Sequence, residues 1–207
     1  YPAAYFYTSG TTGFPKAIVT SNQNLLRGAT YVSHALSINS SDVIGGTLSL
    51  DFDYGLNQLC ISILHAATYV CANFNSTKAN WFDACLSNGV TLVPTMPFLI
   101  ERYFQKSKKY AKGKATKVRC VTSSGGPLLN SHADKITTLF PNALICPMYG
   151  LSEGFRATIL PPGEYEKFPG SVGYPIGNTQ IQIRKNNMSC KAGQVGEIFQ
   201  SLGCLTW

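Results

Sequence analysis

The stretch of this 207-residue sequence best equipped for chemistry is residues 8–16. It reads, in order, Thr8, Ser9, Gly10, Thr11, Thr12, Gly13, Phe14, Pro15 and Lys16. Glycines let backbone N–H groups turn inward around an anion, hydroxyls add donors, and the lysine supplies positive charge. The common phosphate loop needs Lys directly after the second Gly and Ser or Thr next, whereas here two residues intervene and Ala17 follows the lysine. The pattern therefore predicts a different kind of loop for the phosphates of a nucleotide.

Two later motifs carry compatible chemistry. In residues 123–128 two glycines permit close backbone approach to a ligand, in the order Ser123, Ser124, Gly125, Gly126, Pro127 and Leu128. Residues 149–153 read Tyr149, Gly150, Leu151, Ser152 and Glu153. They offer an aromatic face for a base, a hydroxyl for a phosphate and a hard carboxylate oxygen for Mg²⁺.

Residues 150–154 also fit G-x-S-x-G, the nucleophile turn of α/β-hydrolases. That fold needs an acid and then a histidine downstream of the serine. The three histidines, His34, His65 and His132, all precede Ser152. The order of residues therefore argues against a serine hydrolase.

The net charge of +7 suggests nucleic-acid binding until the charges are located. Residues 101–119 hold eight bases against the single acid Glu101, and nine bases and nine acids are left elsewhere. One lysine-rich loop at 106–117 makes the protein basic, so we expect no nucleic-acid partner. The loop is interpreted either as a solvated surface segment or as a docking patch for an acidic carrier protein or for the phosphates of CoA.

Seven scattered cysteines without a C-x-x-C pair predict neither a disulfide framework nor a zinc site, and they favour a reducing, cytoplasmic setting. Residues 54–77 lack charge but contain too many amides and hydroxyls for a membrane span. No signal peptide and no initiator Met opens the sequence. We therefore expect a piece of a longer protein without a membrane span.

Strands alternate with helices along residues 1–154, which predicts an α/β fold: a mainly parallel sheet with helices on both faces. Helices are predicted after a cap at Ser21 or Asn22 and at 54–66, 81–86, 98–104 and 132–140. Strands are predicted at 5–7, 43–50, 69–71, 91–93, 118–122 and 143–146. Residues 155–207 lose the helical period and predict a small β-rich unit with strands at 158–160, 180–184 and 195–200.

Taken together and in this order, the motifs resemble those of the adenylate-forming superfamily, which includes acyl-CoA synthetases, peptide-synthetase adenylation domains and luciferases. Ala17 departs from the glycine usual there. The resemblance implies that residues 8–16 hold the β- and γ-phosphates of ATP and that residues 124–127 lie beside adenine. It also implies that Tyr149 stacks on adenine next to Gly150, Ser152 contacts the α-phosphate, and Glu153 holds Mg²⁺. Lys16, Ser152 and Glu153 are thus the candidate catalytic residues.

A substrate site is predicted at Phe52 and Asp53, because residues 48–55 occupy the place of the superfamily's acyl-pocket motif. By resemblance, Phe52 gates the acyl site and Asp53 pairs with the ammonium group of an amino acid. A carboxylate in an apolar pocket is costly unless it meets a cation, which makes that role physically reasonable. The alternative is that Asp53 caps a helix that starts at Tyr54.

The resemblance implies that a small carboxylate, an amino acid or another acyl acid, is activated with MgATP to an acyl-adenylate, which then passes to CoA or to a phosphopantetheine carrier protein. The 207 residues match only the central part of the superfamily's large N-terminal domain. The Thr-Gly-Asp motif that binds ribose and the C-terminal domain with its lysine are absent. We therefore expect little turnover from this chain alone. A non-catalytic nucleotide-binding or interaction module is the alternative function.

Overall fold

The computed structural model describes residues 1–8, 16–71, 81–107 and 115–202. Five helices lie in these ranges: α1 (Asn22–Ala35), α2 (Asp53–Leu64), α3 (Trp81–Asn88), α4 (Pro97–Ser107) and α5 (Asn130–Leu139). Seven strands make the principal sheet: β3 (Val43–Gly46), β4 (Thr68–Cys71), β5 (Leu92–Thr95), β6 (Cys120–Ser123), β7 (Leu144–Tyr149), β8 (Thr158–Ile159) and β9 (Tyr174–Pro175). The other strands are β1 (Pro2–Thr8), β2 (Lys16–Ser21), β10 (Thr179–Lys185), β11 (Met188–Ser189) and β12 (Glu197–Leu202).

The principal sheet has the strand order β4-β3-β5-β6-β7-β8-β9. Its first five strands are parallel, and β8 and β9 join antiparallel at the β7 edge. Strands β1 and β2 form a separate antiparallel pair, and β11, β10 and β12 form a three-stranded antiparallel sheet. The predicted α/β fold with a mainly parallel sheet is confirmed.

Both faces of the sheet are covered because side chains alternate along each strand. Val93, Val121 and Ile145 point to one face and pack among the buried apolar residues of α3, α4 and α5. Their neighbours Leu92 and Cys120 point to the other face, where they pack with α1 and α2. The result is a three-layer arrangement in which every central strand is buried on both sides.

Local signals account for several element ends. The side chain of Ser21 accepts a hydrogen bond from the backbone N–H of Asn24 (3.2 Å), so the predicted cap of α1 is confirmed. Helix α3 ends at Asn88, directly before Gly89, as expected. The segment of Ala17 was not predicted to be a strand, but it belongs to β2, which pairs with β1. The proposed boundary between residues 154 and 155 stays a prediction; beyond it, β8 and β9 extend the principal sheet.

Candidate active site

A cavity of 290 Å³ brings together residues that are distant in sequence. Six of the residues predicted for the site line it: Phe52, Asp53, Ser124, Gly125, Gly150 and Ser152. Leu48 and Tyr54, from the 48–55 segment expected at the acyl pocket, also line it, and so do three residues that sequence reasoning missed: Met96, Phe98 and Arg156. The volume is close to the lower end of what is typical for small-ligand sites, ~300 Å³.

The cavity lies where the parallel strands end. Met96 follows β5, Ser124 follows β6 and Gly150 follows β7, so each comes directly after the carboxyl end of its strand. In open α/β sheets the carboxyl ends of parallel strands meet at one edge, which is where ligands bind. The amino-terminal end of α2 adds Asp53 and Tyr54 to the same edge.

At two positions of the cavity lining, glycine cannot be replaced by a residue with a side chain. A Cβ at Gly150 would lie 1.8 Å from the carbonyl oxygen of Phe155 and 2.8 Å from a guanidinium nitrogen of Arg156. Gly125 has a φ of +79°, in the left-handed region, and a Cβ there would meet Met96. The first glycine lets the hairpin between β7 and β8 close tightly on itself, which brings Arg156 to the cavity.

Arg156 is the most informative residue that the sequence did not reveal. Its side chain is only 5% exposed, and Nη1 lies 3.4 Å from Oδ2 of Asp53. The guanidinium stands over the ring of Tyr54, 4.3 Å from the centroid, and Nη1 donates to the carbonyl of Phe155 (3.2 Å). Within the described ranges, Nε of Arg156 and Oδ2 of Asp53 are buried and have no hydrogen-bond partner. The cavity thus carries a buried, incompletely bonded ion pair.

The alternative in which Asp53 caps a helix starting at Tyr54 is wrong. Helix α2 starts one residue earlier, at Asp53 itself, and its N-cap is Phe52, which makes no side-chain capping bond. Asp53 lies in the first turn, where a carboxylate is favoured by the helix dipole. Its side chain is 13% exposed and belongs to the cavity.

Tyr54 connects the cavity to the sheet. Its hydroxyl and the hydroxyl of Thr122 on β6 lie 2.6 Å apart, within a fully buried contact. Burial strongly raises the pKa of Tyr54, so its hydroxyl stays protonated near neutral pH and can donate to Thr122. This bond fixes the ring on which Arg156 rests.

The remaining predicted site residues lie around the cavity or outside the described part of the chain. Tyr149 ends β7, Glu153 is exposed in the turn after Ser152, and Gly126 and Pro127 are exposed beside Gly125. Thr8 and Lys16 face each other as the last pair of the β1–β2 ladder. Residues 9–13, which include Ser9, Gly10, Thr11, Thr12 and Gly13, lie outside the described residues, as does most of the lysine-rich loop. The predicted nucleotide roles of these residues therefore stay predictions.

Three further findings concern metal ligands, membrane spans and cysteines. In the described part of the chain, no group of three or more His, Cys, Asp or Glu side chains is arranged to hold a metal ion. None of the helices in those same ranges combines the length and apolar character needed to cross a bilayer. Five cysteines are free thiols: Cys60, Cys71, Cys120, Cys146 and Cys190.

Comparison with known proteins agrees with this geometry. The model of the family described as "AMP-binding enzyme" matches residues 1–203. The chain is 28% identical to the uncharacterized acyl-CoA ligase YhfT of Bacillus subtilis over 206 residues. That alignment covers 96% of this chain and 40% of the relative. The chain is 30% identical over 206 residues to the 4-coumarate-CoA ligase-like 9 of Arabidopsis thaliana, covering 96% of this chain and 36% of the relative.

Among solved structures, VinN in complex with L-aspartate superposes with a TM-score of 0.81 at 28% identity, covering 95% of this chain and 49% of VinN. The chain thus spans less than half the length of each of these proteins. The match of the family model over nearly every residue is decisive. The chain belongs to the family of AMP-binding enzymes.

Proposed function

We propose that the full-length protein carrying this chain activates a carboxylate with ATP and passes the acyl group to a thiol. The observation that carries the proposal is the cavity, because it joins Phe52 and Asp53 of the expected acyl site to Ser124, Gly125 and Ser152 of the expected nucleotide site. A site for adenylate formation must hold an acid and a nucleotide in contact. The names of the CoA-ligase relatives support the same reaction class.

In the first step a carboxylate oxygen attacks the α-phosphorus of ATP. A bond forms between that oxygen and phosphorus, the bond to the bridging oxygen of the β-phosphate breaks, and pyrophosphate leaves. In the second step a thiol sulfur attacks the acyl carbon, AMP leaves, and the thiol proton passes to solvent. CoA or the phosphopantetheine group of a carrier protein would supply the thiol.

The chain's own residues act mainly by positioning and by charge neutralisation. Ser152 lines the cavity and is assigned to the α-phosphate, while Tyr149 and residues 124–127 are assigned to the adenine side. The loop between Thr8 and Lys16 is assigned to the β- and γ-phosphates. We expect the chain alone to turn over poorly, because it lacks the superfamily's ribose-binding motif and C-terminal lysine.

A Mg²⁺ ion fits the donor set at this turn. Mg²⁺ is usually held by one or two carboxylates together with phosphate oxygens and water, and Glu153 is an exposed carboxylate next to Ser152. When bound there, the ion would offset the negative charge of the phosphates. Glu153 is therefore proposed as its protein ligand.

The test is carboxylate-dependent exchange of pyrophosphate into ATP by the full-length protein. The panel contains short and long acyl acids, aryl acids, neutral amino acids and acidic amino acids. Exchange that depends on one class of acid supports the proposal and names the class. ATP binding without exchange for any acid contradicts it and favours a non-catalytic nucleotide-binding module.

Glu153→Gln tests the metal assignment within that assay. We expect exchange to fall by on the order of 100- to 1,000-fold, since a preorganised charge partner of the phosphates is lost. Glu166→Gln, at an exposed glutamate in the same part of the chain, is the matched control and should exchange normally. Full exchange by Glu153→Gln would exclude Glu153 as the ligand.

A further inference from the structure

We infer that Phe155 is a positioning residue for the nucleotide: it holds the turn of Ser152 and Glu153 against β1, so that the two segments assigned to the phosphates keep a fixed separation. The inference rests on the proposed function, which assigns both segments to ATP, and it deepens that proposal. Phe155 acts through its neighbours and is not itself a ligand of the nucleotide.

The backbone of Phe155 is in an unusual conformation. Its φ is +56°, in the left-handed region that a bulky residue rarely adopts. Gly154, directly before it, could adopt that conformation without steric cost but does not have a positive φ. Strain of this kind persists only where the surrounding structure imposes it, and it is concentrated at functional sites. The contacts around Phe155 must therefore outweigh the strain.

Three elements surround Phe155. The residue is only 2% exposed, and its ring meets that of Phe6 on β1 edge to face, with the centroids 6.2 Å apart and the planes at 87°. A Cβ at Gly28 would lie 3.1 Å from Cγ of Phe155, so the missing side chain of Gly28 lets α1 approach the ring closely. After β7, Gly150 leaves room for the Phe155 carbonyl.

The contact with Phe6 is important because β1 and β2 are not strands of the principal sheet. In the part of the chain that the structure describes, these two strands pair only with each other. Their position relative to the principal sheet therefore depends on side-chain packing and not on strand hydrogen bonds. They pack on α1, and Phe6 adds the contact with the hairpin between β7 and β8.

Each of the two rings is close in sequence to a segment assigned to the phosphates. Two residues after Phe6, Thr8 pairs with Lys16 at the end of the β1–β2 ladder, where the β- and γ-phosphates are assigned. Residues 152–153, assigned to the α-phosphate and Mg²⁺, come shortly before Phe155. Because the three phosphates of ATP are covalently joined, the two segments must keep a matching separation. The contact between the rings connects them.

The alternative is that Phe155 only fills the hydrophobic core. That role needs an apolar side chain but no strained backbone, and its loss would lower stability without a selective effect on the KM of one substrate. A positioning role predicts a loss specific to ATP. Misplacing a group that orients a substrate by about 1 Å can reduce a rate by on the order of 100-fold.

The experiment measures the KM of ATP and the KM of the preferred acid separately, by pyrophosphate exchange in the full-length protein. Phe155→Leu keeps an apolar side chain but loses the edge-to-face contact, and Phe155→Gly removes the ring and relieves the backbone strain. We expect the KM of ATP to rise about 10-fold in Phe155→Leu and about 30-fold in Phe155→Gly, while the KM of the acid changes by less than about 2-fold.

Phe6→Leu tests the other side of the contact. It should raise the KM of ATP about as much as Phe155→Leu does. The double variant should be no worse than either single variant, because both changes break the same contact. Additive effects in the double variant would show that the two rings act independently and would overturn the inference.

Phe140→Leu is the matched control. Phe140 is also buried and also meets an aromatic ring edge to face, that of Trp81, with the centroids 6.4 Å apart and the planes at 78°. This contact lies on the face of the principal sheet that α3, α4 and α5 cover. Phe140→Leu should lower the free energy of unfolding about as much as Phe155→Leu while leaving the KM of ATP and that of the acid unchanged.

Two results would make Phe155 a packing residue while the proposed function stands: an unchanged KM of ATP in both Phe155 variants, or equal rises in the KM of ATP and of the acid. If the native protein exchanges with no acid, the proposed function fails, and protection against heat by MgATP then tests the inference on binding alone. Weaker protection of Phe155→Leu than of the native protein would support the inference. Equal protection, or none for either protein, would overturn it.

Discussion

Two carboxylate–guanidinium pairs in this chain consist of the same groups but differ in how many hydrogen bonds join them. Asp42 and Arg119 are joined by two hydrogen bonds, from Nε (2.8 Å) and Nη2 (2.7 Å). Arg119 also donates to the carbonyls of Leu36 (3.1 Å) and Ser37 (3.3 Å), at the end of α1. Asp53 and Arg156 share a single 3.4 Å contact.

The difference lies in what surrounds each pair. Asp42 also accepts hydrogen bonds from the hydroxyl of Thr91 and the backbone N–H of Asn39, so its oxygens are fully used by the protein. This pair connects α1, the start of β3 and the segments before β5 and β6. Asp53 and Arg156 both line a cavity, but Oδ2 of Asp53 and Nε of Arg156 are buried and, within the described ranges, have no hydrogen-bond partner. The saturated Asp42–Arg119 pair indicates a structural role, whereas the Asp53–Arg156 pair gains less from hydrogen bonds within the protein.

The largest expected effect is on stability when the saturated pair is broken. Asp42→Ala should lower the free energy of unfolding by about 3 kcal/mol, because it leaves Arg119, Thr91 and Asn39 without their acceptor. Asp53→Ala should cost less, about 2 kcal/mol: it leaves the buried guanidinium of Arg156 without its carboxylate, but it removes only a single 3.4 Å contact and the cation stays over the Tyr54 ring. Chemical denaturation of the full-length protein measures both. Equal losses for the two variants would remove the distinction between the pairs.

Part of the Asp42 effect should depend on pH. Burial raises the pKa of Asp42, but hydrogen bonds from Arg119, Thr91 and Asn39 outweigh it and hold the pKa below the ordinary value of 3.8. A carboxyl whose folded pKa is depressed stabilises the fold above its unfolded pKa and loses that contribution as pH falls through the folded pKa. We expect the unfolding free energy of the native sequence to fall more steeply below about pH 4 than that of Asp42→Asn. Parallel curves would show that Asp42 is not the group responsible.

The next largest effect concerns the placement of the unsaturated pair. Gly150→Ala puts a methyl group 1.8 Å from the Phe155 carbonyl oxygen, so the hairpin that carries Arg156 must shift. We expect a stability loss of about 2 kcal/mol and a loss of pyrophosphate exchange of about 100-fold. Leu151→Ala, at a more exposed position of the same hairpin, should change stability by less than about 1 kcal/mol. Similar results for the two variants would show that close approach at Gly150 is unimportant.

The smallest effect is expected at a third ion pair, Glu101 with Lys135, which connects α4 to α5. The side chains are 42% and 23% exposed, so solvent and salt screen their attraction. Lys135→Met should change the free energy of unfolding by about 0.5 kcal/mol or less, with less difference at high salt. A loss of unfolding free energy as large as that of Asp42→Ala would mean that hydrogen bonding and burial do not determine how much an ion pair stabilises this fold.

Some features of the fold could be predicted from the sequence because they depend on residues that are close together in the chain. The Ser21 cap, the end of α3 before Gly89, and the alternation of strands and helices depend on residues a few positions apart. The family followed from three short motifs. The predicted strand at 158–160 is found as β8, but β9 has only two residues and no period to detect, and the pairing of these strands with β7 was not predicted.

The pairing of Asp53 with Arg156 was beyond sequence reasoning for a different reason. The two residues are 103 positions apart, and only the closure of the β7–β8 hairpin against α2 brings them together. Sequence inspection singled out Asp53 and passed over Arg156, which stands only three residues after Glu153. The available signal was a basic residue between the apolar neighbours Phe155 and Ala157, three residues after the predicted metal ligand Glu153.

The most direct test of the central claim follows the carboxylate oxygen itself. The full-length protein is given ATP, Mg²⁺, an acceptor thiol and the preferred acid of the exchange panel, labelled with ¹⁸O in its carboxylates. Because a carboxylate oxygen attacks the α-phosphorus in the proposed reaction, we expect one ¹⁸O atom in each AMP released. Label in inorganic phosphate, or unlabelled AMP alongside thioester, would contradict it.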